Sequence, residues 1–167
     1  MNPSPLADLI TRYEAGGPFL VAAVQWLTPE NASSKSGPGV WSIGELVAHL
    51  YDSDLVGMDR MKRVIAEPEP TLLAYDQDAW ITRLGSGEMD VTEAAELFAA
   101  NRRWMTKVLR GTPDADFARS GNHTENGRMS LAALVSNYVN HLDHHLRFLY
   151  AKRGVLGVGI PPRYTRN

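Results

Sequence analysis

The sequence predicts an all-α protein, a four-helix bundle with a long crossover loop between its second and third helices. Three observations carry that expectation. Four long segments place apolar residues at helical spacing. Capping residues at their starts and Gly or Pro at their ends mark where each one begins and stops. No stretch alternates apolar and polar residues in the manner of a strand.

The first helix is expected from Leu6 to Leu27, with Gly16, Gly17 and Pro18 bending or interrupting it. Phe19, Leu20, Ala23, Val24 and Leu27 form its apolar face, and TPENASSKSGPG (28–39) reads as a loop. The second helix begins at Ser42, where Ser42 and Glu45 match the capping box, and runs to Glu67 before Pro68 and Pro70. Ile43, Leu46, Leu50, Met61 and Val64 recur along one side of it. Residues 68–90 are the crossover, with a short helix around Asp76–Leu84. The third helix runs from Asp90, paired with Glu93, to Gly111, on an apolar stripe of Leu97, Trp104, Met105 and Val108. After a loop at 112–129 the fourth runs from Ser130 to Gly154, with Lys152 and Arg153 in the last turn and Gly154 as the left-handed cap. Its seam is Leu131, Val135, Tyr138, Leu142, His145 and Leu149, spaced as between bundle helices.

A chain of 167 residues suits one domain, 1–167. With 44% apolar and 22% charged residues, it is not a disordered chain. The net charge of −2 and the absence of any Lys/Arg run argue against a nucleic-acid partner. There is no cysteine, which excludes disulfides, thiolate metal sites and a cysteine nucleophile. The start lacks a secretory pattern and no segment is apolar enough for a membrane, so a cytoplasmic location is the default.

Three of the five histidines, His141, His144 and His145, fall within five positions. At about 100° per residue, His141 and His145 share one face, roughly 40° apart, while His144 turns away from the seam. An i,i+4 pair can present two imidazole nitrogens to one ion. His49, beside the stripe of the second helix, is the candidate third ligand, and three imidazoles would leave positions open for water or substrate. The plainer reading is that these are core histidines with hydrogen-bonded rings.

Two segments, GVWSIGELVAHLYDSD (39–54) and NGRMSLAALVSNYVNHLDHHLRFL (126–149), resemble the DinB/YfiT-like superfamily of metalloenzymes. The resemblance implies a bundle of up-down-down-up topology and a divalent metal, zinc or nickel, held by His49, His141 and His145. It also implies either a thiol-dependent S-transferase using a low-molecular-weight thiol as cosubstrate or a hydrolase, acting on a small molecule, with homodimers common in the group. The alternative is a non-catalytic metal-binding bundle, structural or stress-related. Two positions depart from the pattern: Phe148 stands where relatives often carry Gln, and Asp54 where they carry Glu. Asp52 or Asp54 would orient an imidazole N–H, or else serve as surface charge. His123 is expected in a loop at the mouth of the site, Trp41 as a core anchor and Trp80 as a packing residue of the crossover. No catalytic base is singled out among Asp52, Asp54, Glu45 and His123.

Overall fold

The computed structural model describes residues 4–85 and 88–165. Helix α1 (Pro5–Val24) starts where the Ser4 hydroxyl accepts the Ala7 N–H at 3.2 Å, with Pro5 in the first turn, where no N–H is needed. Pro18 does not interrupt the helix, which is continuous from Pro5 to Val24. The glycines beside it serve packing instead. A Cβ on Gly17 would press on the Ala99 backbone, and one on Gly16 would strike Arg102 and Leu142. The helix stops at Val24, before the expected Leu27, and Trp26 turns the chain with φ of 61°. Part of the expected loop is helix α2 (Pro29–Ser33), closed by a reciprocal cap between Thr28 and Asn31.

Helix α3 (Ile43–Ala66) has the capping box read from the sequence: Glu45 N–H donates to Ser42 Oγ at 3.1 Å, and Ser42 N–H donates to the Glu45 carboxylate at 2.7 Å. Ile43, Leu46, Leu50, Met61 and Val64 are all buried. The crossover contains α4 (Gln77–Arg83), capped by Asp76. Helix α5 (Val91–Gly111) is capped by Asp90, whose carboxylate accepts the Thr92 and Glu93 N–H groups. Helix α6 (Leu131–Val155) is capped by Ser130 and runs through Gly154; the left-handed residue after it is Gly157, φ 72°. Val158 N–H bonds Arg153 C=O at 3.0 Å and Gly157 N–H bonds Gly154 C=O at 3.1 Å, the paired closure of a Schellman turn.

The stripe expected on α5 needs correction. Leu97 and Trp104 are 44% and 60% exposed, whereas Ala95, Phe98, Asn101, Arg102, Met105 and Leu109 face inward. Hydrophobicity ranked Trp104 above Arg102, but Arg102 finds buried partners and so can occupy the inner face.

Helices α1 and α3 each pack on both α5 and α6, so α1 and α3 face one another across the core. One apolar cluster gathers Leu20, Ile43, Leu46, Phe98, Leu142 and Leu146, and a second gathers Tyr13, Met61, Val64, Met105, Leu131 and Val135. Between them every long helix contributes small or polar residues: Gly16 and Gly17 on α1, Ser53 and Asp54 on α3, Asn101 and Arg102 on α5, and His141 on α6. The bundle therefore has a polar waist.

The expectation of no strand also fails. A small sheet joins β1 (Thr71–Leu72), β2 (Ser120–His123) and β3 (Gly127–Ser130) in that order, β1–β2 parallel and β2–β3 antiparallel. These strands are too short to show alternation, and the parallel pair joins segments about fifty residues apart. Gly121 permits the approach, since a Cβ there would press on the Pro70 carbonyl. The sheet ties the crossover to the segment entering α6 and places His123 beside the waist. Among the described residues, no helix is long and apolar enough to cross a membrane.

Candidate metal centre

The structure brings His49, His141 and His145 together and leaves His123 and His144 out of the group. His49, buried on α3, lies with Nε2 3.1 Å from Nε2 of His141, and Nε2 of His145 is also 3.1 Å from that atom. Each ring meets the next edge-on, with centroids 4.5 to 5.1 Å apart. The helical repeat sets the α6 pair, and the packing of α3 on α6 supplies the third ring.

This arrangement fits a cation better than it fits three hydrogen-bonded rings. A neutral imidazole Nε2 offers either one proton or one lone pair, so His141 cannot bond both neighbours through that atom. Ligands at about 2.0–2.1 Å from a zinc ion stand roughly 3 to 3.4 Å apart, which matches the two Nε2 separations. His145 Nδ1 is buried with no hydrogen-bond partner among the described residues, and it stays so whether Nε2 meets a cation or another ring. The rings are held neutral, as ligands must be. Burial, the largest cause, lowers the pKa of His49 to about 4, with Asp78 opposing. Burial and neighbouring His49 and His144 lower that of His145 to about 4. Burial, His145, His49 and Arg102 take His141 to about 2.

Trp41 is half-buried with its ring centroid 5.0 Å from that of His49, so it covers the site rather than anchoring the core as expected. Lys152 holds the Trp41 carbonyl at 2.6 Å. Trp80 packs on Tyr75 in the crossover, 4.6 Å between centroids, in the expected manner. His144 is exposed, its ring edge on Phe148, which is itself 48% exposed.

The acids expected near the rings are placed differently. Asp54 is 1% exposed, bound by Arg102 Nε at 2.9 Å and Asn101 Nδ2 at 2.7 Å, and so orients no imidazole. Burial pushes its carboxyl up, while Arg102 and Asn101 pull it down. Glu45 is occupied by its cap and by Lys35 at 2.7 Å. His123 sits on β2, not in a loop, and its Nδ1 accepts the Glu125 and Asn126 N–H groups, each at 3.2 Å. Asp52, one turn after His49, is half-buried with its carboxyl raised by desolvation.

A cleft of about 160 Å³ opens beside His141, bordered by Ser53, Arg60, His123 and Tyr138. Nothing in the sequence singles out Arg60, since a charge on a helix reads as surface. The one hint is Gly57, whose missing side chain lets the Tyr138 ring lie on α3 and meet Arg60 Nη1 at 3.0 Å.

Fold and site define a helical bundle with a three-histidine cluster of metal-ligand geometry at its waist. A family model described as the DinB superfamily matches residues 13–149, and the chain belongs to that superfamily. A Bacillus mycoides protein named "Putative metal-dependent hydrolase" is 27% identical over 135 residues, 80% of this chain and 77% of its own length. An Oceanobacillus iheyensis protein of the same name is 31% identical over 123 residues, 74% of this chain and 70% of its own. The solved structure of YfiT from Bacillus subtilis, described as "a probable metal-dependent hydrolase with an unusual four-helix bundle topology", matches with a TM-score of 0.83 over 93% of this chain and 91% of that one, at 24% identity. It shares the fold.

Proposed function

We propose that the chain is a metal-dependent hydrolase whose divalent ion, zinc or nickel, is held by His49, His141 and His145 and whose substrate is a small molecule. The single observation behind this reading is the convergence of three neutral Nε2 atoms beside an open cleft. The names borne by the relatives agree with it.

Held there, a divalent ion supplies Lewis acidity, polarising a substrate carbonyl and lowering the pKa of water toward about 7. The chain's own residues do the rest. Trp41 shields the His49 ring from water. The two helices keep the three rings in register, because both flanking apolar clusters span α3 and α6. A thiol-dependent transfer would need the same ligands, and no residue of the site favours it over hydrolysis.

The test is metal content and hydrolysis together. Chelator-stripped protein incubated with zinc or nickel and desalted should hold close to one ion per chain by mass spectrometry. It should also cleave 4-nitrophenyl acetate in a metal-dependent manner. His145→Ala should lose both with its helical signal intact. Protein that takes up neither metal refutes the reading.

A further inference from the structure

We propose that the cleft beside His141 receives the carboxylate of a small anionic substrate, held by the Arg60 guanidinium with His123 Nε2 and the Tyr138 hydroxyl. That this places the scissile bond next to the three histidines rests on the function proposed above; the carboxylate site itself does not.

Charge is the first argument. Ser53, Arg60, His123, Asn137, Tyr138 and His141 are among the residues lining the cleft, and no Asp or Glu is. Arg60 makes no ion pair among the described residues. An arginine beside a cleft with no carboxylate of its own is a cation awaiting one, since its planar fork matches that group.

Preorganisation is the second. Arg60 Nη1 donates to Tyr138 Oη at 3.0 Å and Nη2 donates to the Leu73 carbonyl at 2.5 Å, so the head is held from two sides. Its Nε is buried with no partner among the described residues. Because Tyr138 Oη accepts from Arg60, its own proton remains to be donated. His123 is set in the same sense: with Nδ1 accepting two backbone N–H groups, the proton of the neutral ring lies on Nε2. Burial and Arg60 both lower the His123 pKa, which keeps that ring a neutral donor. The pairing of Leu72 with His123 across β1 and β2 holds the ring at the cleft wall.

Fit is the third. One positive charge with two neutral donors balances a monoanion. A cleft of about 160 Å³ has room for a carboxylate and a few carbons, at about 30 Å³ for a water-sized group.

The experiment follows Arg60 and His123 side-chain signals by NMR as butyrate, butyramide or inorganic phosphate is added to metal-free and zinc-treated protein. Butyrate should bind the metal-free protein saturably, with butyramide weaker by about tenfold or more, as expected of a hydrogen bond to a charged group. Arg60→Gln should weaken butyrate by about the same factor while leaving butyramide unchanged, and Arg60→Lys should restore part of the loss. Equal affinity for butyrate and butyramide in the unaltered chain overturns the proposal, and that comparison needs no variant to fold. So does tighter binding of phosphate than of butyrate, or indifference of butyrate to Arg60→Gln. Zinc uptake, read on the same samples, separates the two readings. Arg60-dependent butyrate binding without zinc uptake keeps this proposal and removes the metal centre; zinc uptake with Arg60-independent butyrate does the reverse.

Discussion

Arg102 Nε lies 2.9 Å from Asp54 Oδ1, and both side chains are 1% exposed. The guanidinium also donates to the carbonyls of Tyr13 at 3.2 Å and Tyr138 at 2.8 Å, and it stacks between the Tyr13 and Phe98 rings. One side chain on α5 thus binds α1, α3 and α6 at the level where the histidines converge. Removing a single partner leaves a buried charge unpaired, so Asp54→Ala should lower stability by about 3–5 kcal/mol in urea denaturation. Arg102→Met on that background should cost far less than on the native one. Simple additivity of the two losses would refute this coupling.

Gly57 makes a second, local prediction. A methyl group there would meet the Tyr138 ring, which supports both Arg60 and the cleft. Gly57→Ala should therefore destabilise the protein by about 1–3 kcal/mol, despite the better helix propensity of alanine. Thermal melts settle the sign, and a stabilised variant would mean that the ring is free to move aside.

The two adjacent histidines should separate cleanly. His144 is exposed and lies outside the three-ring group, so His144→Ala should retain its zinc, whereas His145→Ala should lose it. Zinc at 100 times its dissociation constant should raise the stability of the native chain by about 2.7 kcal/mol and leave that of His145→Ala unchanged. Calorimetric scans with and without the ion measure both.

Acid should weaken the metal-free fold in a defined window. His49 and His145 have folded pKa values of about 4 against an ordinary 6.5. Between those values the unfolded chain binds protons that the folded one refuses, so stability falls as pH drops from 6.5 to 4 and is unaffected by these rings above it. His49→Asn should flatten part of that slope in denaturation curves collected across the window. An unchanged slope would show that other groups carry it.

Much of this architecture is legible in the sequence. The caps at Ser42, Asp90 and Ser130 appear where the residue types demand them, because a capping side chain acts within three residues of its target. The face shared by His141 and His145 follows in the same way from the pitch of one helix. The expectations fail where the partner is remote in sequence. Leu97 and Trp104 looked internal and are exposed, since Arg102 could be buried only with Asp54 waiting on another helix.

Local rules act through the backbone over a turn or so, and to that distance the residues alone determined this protein: four long helices, their beginnings, and two imidazoles presented side by side. The third imidazole, His49, is 92 positions from His141 and reaches it only because α3 packs against α6. The same packing joins Arg60 to Tyr138, and strand pairing across some fifty residues sets His123 beside the waist. Those contacts depend on how apolar faces are shared among four helices, a collective property that no short stretch of chain carries.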